Sequence, residues 1–194
     1  VKFKSVSLIV GLLCLVNLSN AQTRDQGIGL RIGDPLGITY KSYFDRKGAV
    51  ELIFGSTSAN RHDSYYKSTF DSRSKYDGNR YVDHSVKYTL AFQGRMVWHE
   101  SFPANVEGRL DWYWGLGAHV RLSDVKYSFF NENDILRTDN DTNFDLGPEG
   151  ILGIEYEFLD YPIVGFSEVS LMGELVDNPF RFRFFGAVGI RYAF

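Results

Sequence analysis

Counting back in twos from Phe194 divides the last fourteen residues into two materials. Phe194, Tyr192, Ile190, Val188, Gly186, Phe184 and Phe182 form one set and carry no charge. Arg191, Arg183 and Arg181 fall in the other, with Ala193, Gly189, Ala187 and Phe185. A period of two belongs to an extended strand, whose successive side chains point to opposite faces. One face of this strand needs an apolar neighbour and the other a polar one, so the strand separates two environments.

The same alternation recurs upstream and predicts strands at 26–33, 37–44, 48–56, 81–98, 107–122, 147–158 and 165–176, making eight in all. Their uncharged faces are Ile28, Leu30 and Ile32; Ile38, Tyr40, Ser42 and Phe44; Val50, Leu52 and Phe54. The fourth gives Val82, His84, Val86, Tyr88, Leu90, Phe92, Gly94, Met96 and Trp98, and the fifth Leu110, Trp112, Trp114, Leu116, Ala118, Val120 and Leu122. Leu152, Ile154, Tyr156 and Phe158 follow on the sixth, and Val169, Leu171, Gly173 and Leu175 on the seventh. A soluble barrel would turn its charges outward, so the polarity predicted here is inverted: all-β, an eight-stranded antiparallel up-and-down barrel with an apolar exterior.

The opposite faces hold Arg31, Lys41, Lys87, Arg95, Arg109, Arg121, Arg183 and Arg191 against Glu51, Asp83, Glu107, Asp111, Glu155, Glu157, Glu168 and Glu174. Eight strands enclose only enough space for their own side chains. Interleaved opposite charges can satisfy one another there, which predicts a lumen filled by a salt-bridge network. A narrow channel for small solutes is the alternative. Inward glycines (Gly29, Gly55, Gly115, Gly117, Gly153, Gly189) leave room for long side chains and let the sheet curve.

Residues 1–21 have the pattern of a cleaved secretory signal: Lys2 and Lys4, an apolar run from Ser7 to Val16, and Ser19-Asn20-Ala21 as a small-x-small site. The one cysteine, Cys14, lies inside the apolar run, a poor position for lipid attachment. Residues 22–194 then form one barrel domain without thiols. Without Lys2 and Lys4, 19 basic residues face 24 acidic ones, a net charge of -5 that offers no footprint for nucleic acid.

Alternating strand direction assigns 45–48, 99–105 and 159–164 to the side of the termini. Long loops near 57–80 and 123–146 and short turns at 34–36 and 177–179 fall on the other side. Phe44, Trp98, Phe158, Phe166, Phe182, Tyr192 and Phe194 stand at strand ends, where interfacial girdles are expected.

With these features the chain resembles the small eight-stranded outer-membrane barrels of the OmpA/OmpX type, without a periplasmic domain. The segment Gly29-Leu-Arg-Ile-Gly-Asp-Pro-Leu-Gly-Ile-Thr-Tyr-Lys41 is similar to the start of other small outer-membrane barrels. The resemblance covers the mature chain and implies the outer membrane of a Gram-negative bacterium. It also implies contact with outer-membrane lipid and lipopolysaccharide, and delivery to the barrel-assembly machinery through a C-terminal signal ending in Tyr192 and Phe194. It implies no particular activity.

Chemistry is sparse. Asp83-His84-Ser85 has the residue types of a hydrolytic triad, but neighbouring strand residues face opposite ways. His62, His84, His99 and His119 lack metal-ligand spacing. Asp139, Asp141, Asn143 and Asp145 share the spacing of the first half of a calcium loop, although Phe144 replaces its glycine. Weak calcium binding is one expectation and a solvated acidic loop the other. The Tyr-, Ser- and Arg-rich segment 60–76 suits either a recognition surface or prolonged strands. The function expected is structural or interactive, through external loops or as an accessory subunit of an envelope complex. It is non-enzymatic and needs no cofactor; a narrow channel and a lipid-modifying enzyme are the rivals.

Overall fold

The computed structural model describes residues 25–57, 63–103, 106–176 and 181–194. The expected signal segment, His62 and the 177–179 turn lie outside them. Eight strands pair in chain order: β1 (Gln26–Gly33), β2 (Leu36–Tyr43), β3 (Gly48–Ser56), β4 (Arg80–Ser101), β5 (Arg109–Phe130), β6 (Leu136–Glu157), β7 (Ile163–Gly173) and β8 (Phe182–Ala193). All pairs are antiparallel, and β1 pairs with β8 to close the ring. Gln26 and Phe194 exchange backbone hydrogen bonds at the seam (3.1 and 2.9 Å).

The outward faces match the sequence pattern on seven strands. Leu30, Leu116, Leu152 and Phe184 are among the apolar side chains exposed on the outside, while Arg31, Lys41, Glu51, Arg95, Glu168 and Arg191 are buried within. Glycine opposite an aromatic ring lets this interior close: a Cβ at Gly153 would sit 2.4 Å from the Tyr113 ring, and one at Gly189 2.5 Å from the Phe166 ring. Phe166, expected in the outer girdle, is therefore a lumen residue. Trp98 and Trp114 do stack on the outside, with centroids 4.9 Å apart.

β4, β5 and β6 each run 22 residues and extend well past the other strands. The expected long loop at 123–146 is instead the upper part of a β5–β6 hairpin. Its turn is closed by Asn131, whose side-chain oxygen accepts from the backbone N–H groups of Asn133 (3.1 Å) and Ile135 (2.9 Å). Along β5 the polarity reverses at one level. Up to Leu122 the outward residues are apolar and the inward set includes His119, Arg121 and Ser123; beyond it Asp124, Lys126 and Ser128 face out while Val125 and Tyr127 are buried inside. A single strand thus crosses from surroundings that exclude charge into surroundings that accept it.

β4 departs from the predicted faces. Register shifts between Val86 and Tyr88, and again between Tyr81 and Asp83, leave Lys87 and Val82 outside the one-to-one pairing. An extra residue in one strand inverts the facing of the residues beyond it. Val86 and Tyr81 pack inward and His84 pairs across from buried Tyr127, whereas Asp83, Ser85 and Lys87 are exposed.

The segment expected to be a loop or prolonged strands holds a helix, α1 (Asp63–Ser72), and a 3-10 turn (Ser74–Tyr76). Ten residues are too few for a stable isolated helix in water, so packing must hold it. Tyr65, Tyr66, Phe70 and Tyr76 supply that packing against Val125 and Tyr127 on the inner side of the extended sheet.

Candidate functional site in the lumen

One belt of polar side chains links all eight strands. Glu168 (β7) forms an ion pair with Arg31 (β1, 2.9 Å) and accepts hydrogen bonds from Arg95 (β4, 2.6 Å) and the Tyr113 hydroxyl (β5, 2.7 Å). The second Arg95 contact is to Glu51 (β3, 3.1 Å), which also accepts from Thr39 (2.5 Å) and from Arg191 (β8). Arg191 continues to Glu155 (β6, 3.2 Å), and Glu155 accepts from Lys41 (β2, 2.7 Å) and Tyr43 (2.7 Å). The order Arg31, Glu168, Arg95, Glu51, Arg191, Glu155, Lys41 alternates in sign at every step. Each carboxylate has several donors, the condition under which buried charge is tolerated. His99 ends the chain, with Nε2 2.7 Å from the Lys41 ammonium and Nδ1 2.7 Å from the Lys47 carbonyl oxygen.

A second layer lies towards α1. Asp145 accepts from Arg121 (2.5 Å) and forms an ion pair with Arg183 (3.1 Å), which donates to Glu174 (2.5 Å). Tyr65 of α1 donates to Asp145 and Glu174, and its ring lies 4.1 Å from the Arg183 guanidinium and 5.0 Å from that of Arg121. Gln93 extends the belt, contacting Arg31 (3.4 Å), His119 (3.1 Å) and Glu149 (3.0 Å). The helix is thus a lid whose tyrosine is a member of the lumen network.

Most of the predicted lumen residues meet in these layers, but six do not. Lys87 faces outward 3.5 Å from Asp124, displaced by the bulge. Arg109 pairs with Asp111 (2.7 Å) at the terminal rim, where Arg109 is half exposed, and Glu157 is partly exposed beside it. Asp83 and Glu107, expected inside, are exposed as well. Sequence reasoning missed Tyr113, Thr39, Tyr43, Gln93, His99, Glu149 and Tyr65. Parity alone places the first four and Glu149 on inward faces, but a search for charge passes over neutral donors.

The supposed calcium residues are not on a loop. Asp139, Asp141, Asn143 and Asp145 alternate along one face of β6 and turn inward. Asp141 is held by Arg73 and by Lys75 (3.1 Å), Asp139 by Lys75 (3.0 Å) and the Tyr76 hydroxyl (3.1 Å), and Asn143 donates to Tyr127 (3.1 Å). Burial alone would raise the Asp141 carboxyl, but hydrogen bonds from Lys75 and Arg73 outweigh it and hold it below the ordinary carboxylate range. Burial pushes the neighbouring Tyr76 hydroxyl up to about 12. The spacing that resembled a metal loop is that of one strand face fastened to α1 and its 3-10 turn. Among the described residues no group of three or more His, Cys, Asp or Glu is arranged to hold a metal ion.

His84 Nδ1 lies 2.6 Å from the Tyr81 hydroxyl, and Asp83 and Ser85 point the other way, so the three residues form no relay.

Fold and lining together define a closed eight-stranded up-and-down barrel with a polar, self-paired interior and an apolar exterior. No family model matches the chain, and no curated protein sequence matches it. Among solved structures, Ail, the attachment invasion locus protein of Yersinia pestis, is similar at 12% identity, with 87% of this chain and 96% of that chain covered and a TM-score of 0.46. Ail in complex with the heparin analogue sucrose octasulfate is similar at 14% identity with the same coverage and a TM-score of 0.39. The fold of this chain rests on its own hydrogen-bonded ring.

Proposed function

We propose that the protein is an outer-membrane barrel that conducts nothing and serves as an anchor, presenting its extended three-stranded sheet to a macromolecular partner outside the bilayer. The polarity reversal along β5 carries this reading, since an uncharged band followed by Asp124, Lys126 and Ser128 on the same face is what a bilayer boundary demands.

Above the boundary the charges are mixed rather than basic: Lys87 lies against Asp124, and Arg73 and Lys75 are engaged by Asp139 and Asp141. Among the described residues a polyanion would find no uniformly positive face there. A protein surface of mixed polarity is the better-matched partner. On β6, Thr138, Asn140 and Thr142 are exposed and uncharged.

A photo-crosslinking residue at Thr138, compared with one at Leu116, tests the reading in intact cells. A discrete protein adduct from position 138 that is absent from 116 is expected; protein adducts from neither position would remove the proposed role. In planar bilayers the purified protein should show no steady unitary current, because both lumen layers are closed by direct ion pairs. A reproducible current would favour a channel instead.

A further inference from the structure

The exterior is not uniformly filled. On the β5–β8 wall, register places Trp112, Ile154, Ser167 and Val188 in one row and Trp114, Leu152, Val169 and Gly186 in the next. Ser167 is small where its neighbours are large, while Phe102, whose N–H donates to Leu110 (2.9 Å), adds a wall beyond the end of β4. The result is an outward groove of about 560 Å3 lined by Phe102, Trp112, Leu152, Ile154, Ser167 and Val169, with the backbone of Gly153 and Glu168 at its floor.

We infer that this groove seats one acyl chain of a phospholipid in the leaflet nearer the termini. The inference rests on the membrane placement proposed above. The lining side chains carry no outward charge, and their two polar groups, the Trp112 indole N–H and the Ser167 hydroxyl, are donors. Trp112 stands near the terminal end of β5, at the depth where tryptophan meets lipid ester and headgroup oxygens. A phospholipid meets both demands at once: a flexible hydrocarbon chain for the groove and ester acceptors for the donors. A second copy of this chain would instead have to bring a ridge of side chains into a slot floored by backbone.

The test uses a Trp98→Phe/Trp114→Phe chain, in which Trp112 is the only fluorophore of its type, folded in detergent and titrated with acyl-brominated phosphatidylethanolamine. Saturable quenching is expected, and Ser167→Phe, which fills the groove, should abolish the saturable part. Folding of the variant is verified by different migration of heated and unheated samples. If it fails that check, a retained phospholipid adduct in the native mass spectrum of the unmodified protein is the required result. Quenching that rises linearly with the lipid-to-detergent ratio in both chains would overturn the site. A dimer whose Trp112 is shielded from brominated lipid would assign the groove to a second copy, also overturning it. Failure of the protein to enter vesicles at all would refute the membrane placement, which is scored separately from the groove.

Discussion

Arginine placed at Leu116 or at Leu171 is expected to destabilise the folded barrel by about 2–4 kcal/mol, measured as the shift in reversible unfolding in lipid vesicles. The two positions are joined by register, Leu116 opposite Gly150 and Gly150 opposite Leu171, and both lie within the uncharged band. Both side chains are exposed on the exterior, so neither substitution disturbs internal packing. In water an exposed leucine replaced by arginine changes little, within about 0.5 kcal/mol. The penalty therefore arises from the surroundings of the barrel. Unchanged stability of both variants would mean that the apolar band does not face hydrocarbon.

A comparable loss is expected inside. Arg191 contacts Glu51 and Glu155, and its guanidinium lies 3.8 Å from the Phe166 ring centroid. Arg191→Glu would set three carboxylates against the remaining cations Lys41 and Arg95, and uncompensated buried charge of this kind costs about 3–5 kcal/mol. Lys87→Glu should cost less than about 1 kcal/mol, because Lys87 is an exposed surface group. The parity rule places both residues in the lumen, and the bulge separates them. Similar effects of the two substitutions in denaturant titrations would argue against the bulge and against the belt of alternating charge.

Much of the barrel is legible in the sequence because a two-sided strand has to alternate. The faces of β1, β2, β3, β5, β6, β7 and β8 follow from counting in twos, as do the burials of Arg31, Glu51 and Arg191. Counting fails where the chain changes phase or surroundings. At Lys87 one unpaired residue inverts the facing above it, and no composition signal marks the place. At Leu122 the apolar set moves from outside to inside, so a search for an uncharged outward face ends the strand there although the backbone ladder continues to Phe130. The helix is hidden for another reason. Its tyrosines and phenylalanine suit a strand equally well, and only the inner wall formed by Val125 and Tyr127 selects the helical arrangement. Within the lumen, acidic and basic residues can be named from the sequence. Their pairing cannot, because Glu51 and Arg191 are 140 positions apart and meet only when β8 closes on β1.

The polarity reversal at Leu122 can be tested directly by single cysteines along β5, since residues 22–194 contain none. In bilayers, cysteines at Leu116, Ala118, Val120 and Leu122 should resist a water-soluble maleimide, and those at Asp124, Lys126 and Ser128 should be labelled rapidly, with the step falling between 122 and 124. Rapid labelling at Leu116, Ala118 and Val120, or a profile without a step, would contradict a bilayer boundary at that level.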